Sequence, residues 1–253
     1  MGRLEGKKAV VTGATSGIGR ATAIMFAKEG AEVVLTGRNQ EKGEAVVDEI
    51  RAAGGTAYFI SCDMRKKEDA ARLHAFALEK LGEVNVLMNS AGVLCQKPFL
   101  DLTDEDYDFI METNLRGYVW NMQNFIPDMV KIGGGSIINI ASVSSVWPEL
   151  NSYFYGCSKA AVSNLSMNVA KEFASKGVRI NVIMPGPVES GMTPKEIMDD
   201  PAAYQALVEK FCPIGRFGQP NDIAYAATYF ASDESSWVTA ASLAVDGGVC
   251  ISN

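Results

Sequence analysis

Short apolar runs rich in Val and Ile alternate along the chain with longer stretches in which apolar residues return at helical spacing. The runs at 8–12, 32–36, 56–61, 84–89, 136–141, 178–184 and 242–245 predict seven strands. Helical periodicity falls at 17–29, 40–53, 66–81, 103–130, 153–176 and 220–231, with glycines such as Gly30, Gly82 and Gly177 as stops. Strands covered on both faces read as nearly continuous apolar runs, whereas crossover helices stay amphipathic. The alternation therefore predicts an α/β fold with a doubly wound, seven-stranded parallel sheet and helices on both faces. No break resembles a linker, so one domain is expected over 1–253. The regular alternation fails only at 185–220, where a lid at about 188–218 is expected over the crevice beside the sheet.

Composition narrows the partners. The 253 residues are 47% hydrophobic and 21% charged, an ordinary globular mixture. A net charge of -7 provides no basic field for nucleic acid or anionic lipid. No stretch approaches the roughly 20 apolar residues of a membrane span, and the N-terminus runs directly into the first strand, so cytoplasm is expected. Five scattered cysteines, Cys62, Cys95, Cys157, Cys212 and Cys250, lack the spacing of a zinc or redox site. They read as buried small apolar residues in a reducing compartment, and no metal is expected.

The first strand ends in Thr12-Gly13-Ala14-Thr15-Ser16-Gly17-Ile18-Gly19, and a helical pattern follows at once. Backbone can approach a pyrophosphate closely only where no Cβ intervenes, and a helix beginning there directs free N–H groups at the anion. The GxxxGxG spacing differs from the common dinucleotide fingerprint, but its position between first strand and first helix points to cofactor binding.

This segment resembles the TGxxxGxG motif of the short-chain dehydrogenase/reductase family, and further similarities run almost end to end. Asn89-Ser90-Ala91-Gly92 is similar to the NNAG segment, with Ser90 in place of the second Asn. Asn114, then Ser142, Tyr155 and Lys159, are similar to the catalytic set; Pro185-Gly186 and Val245-Asp246-Gly247-Gly248 match later landmarks. The resemblance implies a Rossmann-type fold, a nicotinamide cofactor, and assembly as a homotetramer or dimer through the helices that include Asn114 and Tyr155. It places Gly13, Thr15, Ser16, Gly17, Ile18, Gly19, Asn89, Ala91, Gly92, Pro185 and Gly186 at the cofactor. It also puts Asp63 and Met64 near the adenine, and Val188 and Ser190 near the carboxamide. A helix N-cap is the competing role for Asp63. Ala240 and Ser145 stand where the family commonly has Gly, which bears on local loop geometry.

A carboxylate after the second strand would accept hydrogen bonds from both ribose hydroxyls and repel a 2′-phosphate, whereas arginine attracts that phosphate. Here Gly37 occupies the acidic position and Arg38 follows, so NADP is favoured over NAD. No second basic contact is offered by Thr15 or Ser16.

Hydride transfer between a secondary alcohol and a nicotinamide needs a separate partner for the proton. The single histidine, His74, lies in a charged helical stretch away from the crevice. Tyr155 and Lys159 are four residues apart, so on a helix they share a face. A nearby ammonium and an oxidised nicotinamide would lower the phenol pKa from near 10 toward neutrality. Tyr153 competes poorly, since Cys157 stands four residues on. Ser142 can stabilise the developing alkoxide, and only family spacing selects it over Ser144 and Ser145. The resemblance makes Asn114 the holder of a water linking Lys159 to solvent, and has Lys159, alongside Tyr155, touch the cofactor.

Leu94, Cys95, Val143, Trp147, Tyr153, Met192, Met198 and Phe211 make a mainly apolar set of substrate contacts. Segments 126–140 and 231–239 resemble bacterial hydroxysteroid dehydrogenases, which puts a hydroxysteroid or bile acid first. A 3-oxoacyl carrier-protein reductase shares the catalytic set, but an acidic carrier needs a basic docking surface, and the acidic chain, with only Lys131 in the turn before the fifth strand and Lys176 as a further local contact, weighs against it. A sugar or polyol dehydrogenase is the third enzymatic reading. A catalytically silent cofactor-sensing scaffold is opposed by the intact Ser142, Tyr155 and Lys159.

Overall fold

The computed structural model describes residues 2–190 and 199–251. Its sheet has seven strands, all parallel, in the order β3-β2-β1-β4-β5-β6-β7. These are β1 (Lys8–Thr12), β2 (Glu32–Gly37), β3 (Thr56–Ser61), β4 (Val86–Asn89), β5 (Gly135–Ile140), β6 (Val178–Pro185) and β7 (Ser242–Val245). The Rossmann-type expectation holds.

Successive side chains alternate between the two faces of each strand, and both faces are covered. Ala9, Val11, Val33, Leu35, Val86 and Met88 pack in one core with α1 (Gly17–Lys28) and α2 (Gln40–Ala52). Their strand neighbours Val10, Val34 and Leu87 pack in the other with α3 (Lys67–Leu81). Because every position meets a hydrophobic layer, polar alternation is missing from the sequence of these strands.

The predicted helix at 103–130 is divided. It consists of α4 (Asp104–Met111), a π turn at Glu112–Arg116 and α5 (Gly117–Lys131). A π turn accommodates one extra residue per turn. Here it carries Asn114, whose amide is engaged by another segment, and is followed by Gly117, where a Cβ would lie 2.7 Å from the Met64 carbonyl oxygen. Both demands are tertiary and invisible to helical periodicity. After α6 (Tyr153–Phe173), the irregular stretch contains an unanticipated helix, α7 (Pro201–Phe211), and α8 (Pro220–Ala231) then leads to the last strand. The start of α7 has a readable signal: Asp200 accepts from the amides of Ala202 and Ala203, and Pro201 occupies the first turn.

Ala240 adopts φ 59°, a left-handed conformation that penalises a side chain and accounts for the glycine expected there. Cys62 and Cys212 are buried as expected, Cys95 and Cys250 are half-buried, and Cys157 is exposed, so the cysteines do not form one buried class.

Candidate active site

Strand order reverses between β1 and β4, and a crevice of about 950 Å³ opens at their C-terminal ends. At its floor a hydroxyl extends the β1–β4 ladder: the amides of Ser90 and Ala91 donate to Thr12 Oγ1 at 3.0 and 3.1 Å. Gly13, Thr15, Ser16, Gly17, Ile18 and Gly19 form one wall, with Arg38, Asp63, Met64, Ala91 and Gly92 beside them.

The loop fits a dinucleotide phosphate. Gly13 and Gly17 have φ of 66° and 52°, which favours glycine, and a Cβ on Gly19 would lie 2.4 Å from the Gly13 carbonyl oxygen. Ser16 caps α1 by backbone conformation without a side-chain hydrogen bond. The first-turn amides of this helix are thus left for an anion. Gly186 approaches Asp246 so closely that a Cβ would meet its Cα at 2.8 Å. Pro185, Gly186, Val188 and Ser190 complete the lining at that end.

Several expected residues lie elsewhere. Asn89 is fully buried beneath the crevice: its Nδ2 donates to Asn139 Oδ1 at 2.9 Å, and its Oδ1 accepts from Asn121 Nδ2 at 2.8 Å. This ladder ties β4 and β5 to α5 and keeps the Asn89 side chain off the crevice wall, so a cofactor contact there would have to come from its backbone. Asp63 lines the crevice but does not cap α3, whose N-cap is Lys66; instead Asp63 is chelated by the Arg65 guanidinium, which pulls its pKa down. Tyr153 packs edge-on against Phe99, with ring centres 5.3 Å apart, and stands off the crevice wall. Cys95 likewise leaves the wall, donating to Asp106 at 3.4 Å. Met192 and Met198 lie outside the described residues. His74 pairs with Asp128 at 2.8 Å on the far side of the sheet from the α1 layer.

Ser142, Tyr155 and Lys159 do meet on one wall of the crevice. Ser142 ends the β5 connection and caps the short turn Val143–Ser145, accepting from the Ser144 amide. The first turns of α6 carry Tyr155 and Lys159 on one face, with Lys159 Nζ 5.7 Å from the Tyr155 ring centre. Of the rival serines, Ser145 is absent from the crevice wall and its buried hydroxyl has no partner among the described residues. Ser144 lines it. Asn114 is fully buried; its Oδ1 accepts from the Val93 amide at 2.8 Å, while its Nδ2 donates to the Val93 carbonyl and to Ser158 Oγ. It therefore clamps the loop after β4 to α6.

Electrostatics depart from the sequence expectation. Burial raises the Tyr155 pKa, the facing Ser142 hydroxyl works to lower it, and Glu149 adds a further rise. Lys159, enclosed and donating to the Ile140 carbonyl at 2.9 Å, is depressed by desolvation to about 7. A lysine only partly ionised near neutrality does not by itself offset the desolvation of the phenol.

This burial has a measurable consequence. Between about pH 7 and the ordinary lysine value of 10.5, the unfolded chain holds more of the Lys159 proton than the folded one, so stability from this group rises with pH across that window. Lys159→Met is expected to raise Tm at pH 6 by at least ~3 °C, with the gain shrinking toward pH 10. The Ile140 carbonyl retains a donor in Tyr118, at 3.3 Å. Calorimetry at the two pH values checks this; a gain independent of pH contradicts it.

Beyond the reactive groups the wall carries an apolar set, Leu94, Val143, Trp147, Leu150, Leu207, Phe211 and Phe217, interrupted by Gln96, Glu149 and Lys210. Leu150, Leu207 and Phe217 are additions to the sequence reading. A separate recess of about 460 Å³ adjoins the glycine loop, lined by Thr15, Ser16, Arg38, Asn39 and Lys42. Lys42 is the second basic residue that the sequence reading did not find, although it lies four positions after Arg38. Thr15 fills the space beside Gly37, where a Cβ would come within 2.6 Å of its Cγ2.

The family model described as Enoyl-(Acyl carrier protein) reductase matches residues 13–250. The 7alpha-hydroxysteroid dehydrogenase of Escherichia coli K12 is 39% identical over 97% of this chain and 95% of its own. The 3-oxoacyl-[acyl-carrier-protein] reductase FabG of Thermotoga maritima is 34% identical over 98% of this chain and all of its own. A 7 alpha-hydroxysteroid dehydrogenase solved with NADH and 7-oxo glycochenodeoxycholic acid superimposes with a TM-score of 0.91, at 38% identity over 98% and 95% of the two chains. A gluconate 5-dehydrogenase from Beutenbergia cavernae, described as putative and solved with NADP at low occupancy, gives 0.92 at 36% identity, over 98% of each chain. With the glycine loop, the reversal crevice and the grouping of Ser142, Tyr155 and Lys159, these similarities make the chain a member of the short-chain dehydrogenase/reductase family, an NAD(P)-dependent oxidoreductase acting on alcohol and carbonyl groups.

Proposed function

We propose that this enzyme interconverts a bulky hydrophobic secondary alcohol and its ketone, a hydroxysteroid or bile acid in the first place, with NADP as the preferred cofactor. The observation that carries the substrate reading is the apolar wall running from Leu94 and Val143 through Trp147 to Leu207 and Phe211, next to the Tyr155 hydroxyl. A small polyol would leave that wall without a partner, whereas a fused-ring ligand covers it. The FabG similarity favours a second reading, reduction of a 3-oxoacyl thioester.

A bound nicotinamide supplies or removes the hydride and, when oxidised, adds a positive charge to the site. Tyr155 gives its proton to the forming alkoxide during reduction and takes it back during oxidation. Ser142 steadies the oxygen on which charge develops. Lys159, in its protonated form, places positive charge beneath the phenol and would hold the ribose hydroxyls of the cofactor, while Asn114 keeps the Val93 loop and α6 in register and would hold the water linking Lys159 to solvent. Arg38 and Lys42 take a 2′-phosphate in the recess where Gly37 presents no carboxylate. The chain acts as one domain and as a homo-oligomer in the cytoplasm; of the expected lid at 188–218, residues 191–198 lie outside the described residues, and the remainder includes α7 beside the crevice. The described helices include none long and apolar enough to cross a membrane.

Initial rates with NADPH and NADH against oxosteroids, 3-oxoacyl thioesters and sugar ketones test this reading. We expect oxosteroids to exceed the other classes in kcat/KM by at least ~10-fold, the discrimination of one or two well-packed apolar contacts. Turnover confined to thioesters rejects the steroid assignment.

A further inference from the structure

The crevice wall carries a cation that the reaction as described does not use. Leu207, Lys210 and Phe211 stand three and four positions apart on α7, so they share one helix face, and all three line the crevice. Tyr204, one turn earlier, fixes that face: its hydroxyl donates to Glu189 Oε1 at 2.7 Å, and its ring centre lies 4.8 Å from that of Phe217. Gln205 and Glu209 fall on the opposite face, where the amide donates to the carboxylate at 2.9 Å. The nearest carboxylate in the chain is thus occupied away from Lys210.

Lys210 pairs with no acidic residue among the described residues; its Nζ lies 4.9 Å from the Phe211 ring centre. A lysine in the last turn suits the helix dipole on any face. This one stands on the face that meets the ligand. The other described basic residues of the wall have assignments: Arg38 borders the recess beside the glycine loop, and buried Lys159 donates to the Ile140 carbonyl. Lys210 is exposed, so its ammonium stands at the open rim while its stem and the Phe211 ring continue the apolar wall up to it.

We propose that Lys210 is a specificity-determining residue whose ammonium receives a carboxylate or sulfonate carried on an otherwise apolar alcohol or ketone, so that the enzyme prefers bile acids to neutral hydroxysteroids. A ligand that covers Leu207 and Phe211 brings its end to the cation. A neutral end leaves the ammonium in water, whereas an anionic end gains a partner. Glu149 also lines the crevice, accepts from Ser144 Oγ at 2.7 Å and forms no ion pair with Lys210. It repels a ligand anion, so among the described residues that charge is matched at Lys210. The net charge of -7 does not favour anions in general, and the field of distant groups fades within about 8 Å at physiological salt, so a preference for an anion is a local effect.

The inference rests on the hydrophobic-substrate reading and narrows it, and a pair of fluorescent probes separates the two. Anilinonaphthalene sulfonate and N-phenylnaphthylamine share one ring system and differ by the sulfonate. Both are titrated onto the NADP-loaded enzyme. Lys210→Met, which keeps an apolar stem beside Phe211, is expected to weaken the sulfonate relative to the neutral amine by ~3- to 5-fold, the upper range for an exposed ion pair. Lys210→Arg should hold the wild-type ratio and Lys210→Glu should lower it further. The contrast should shrink in about 0.5 M salt, where screening acts within a few ångströms. Lys176 covers Phe173 in the same way, at 4.6 Å, but does not line the crevice, so Lys176→Met should leave the ratio as it was. In turnover, Lys210→Met should lower the kcat/KM of an oxo bile acid against its methyl ester by the same factor. A probe ratio that Lys210→Met does not move overturns the proposal. An equal fall in Lys176→Met does so too, as does an acid-to-ester ratio that survives Lys210→Met. If neither acid nor ester turns over, the steroid assignment fails and the probe ratio still decides the role of Lys210.

Discussion

Tyr155→Phe is expected to lower kcat/KM by about a thousandfold or more, within the range spanned by loss of a positioned general acid. The variant retains the ring, its place on the first turn of α6 and the apolar packing around it, and loses only the oxygen that exchanges the proton. Cofactor affinity, followed by quenching of protein fluorescence, should change by less than ~3-fold, because the glycine loop and the α1 amides remain as they were. Loss of turnover with intact binding separates chemistry from folding. Wild-type rates in this variant would move the proton donor to another group and remove the basis of the proposed reaction.

The second large effect concerns cofactor choice. Arg38→Leu should reduce kcat/KM with NADPH by ~10- to 100-fold, the worth of one or two charge-assisted hydrogen bonds, while NADH changes little. Lys42→Ala should cost less, ~3- to 10-fold, since an exposed ammonium contributes mainly a screened point charge. The double variant is expected to prefer NADH. Equal losses with both cofactors would mean that the recess bounded by Arg38 and Lys42 does not hold a 2′-phosphate. Gly37→Asp alone is not a clean route to the same end, because Thr15 already fills the space its Cβ would enter.

Much of the architecture was legible because a parallel sheet buried on both faces leaves uninterrupted apolar strands. Lys8–Thr12, Thr56–Ser61 and Ser242–Val245 begin and end where the pattern says they should. What escaped was set by contacts between distant segments. The break at Glu112–Arg116 follows from Asn114 reaching Val93, 21 positions back in the chain, and no local propensity encodes that. The helix Pro201–Phe211 was hidden for a different reason: its cap was readable at Asp200, but its apolar residues face the crevice instead of the sheet and mimic an irregular lid.

The site divides in the same way. The pairing of Tyr155 with Lys159 follows from their spacing on one helix and the choice of Ser142 from the family resemblance, whereas the burial that depresses Lys159 and raises Tyr155 depends on what the rest of the fold places over them. Asn89 illustrates the converse. Its motif places it at the crevice, but its side chain projects toward the α5 face of the sheet and forms a ladder with Asn139 and Asn121. Motif membership locates a backbone position without fixing which face the side chain takes. Lys42 was overlooked because a helix lysine one turn from a strand end looks solvated until the neighbouring loop forms a recess with it.

The Thr12 hydroxyl, holding two amides from the segment after β4, acts as a rivet across the seam of the molecule. With the β1–β4 ladder beneath it, that rivet makes the crevice floor a continuous piece of sheet. The opposite bank has no such anchorage in the strands, since Leu207 and Phe211 ride on a helix outside the sheet.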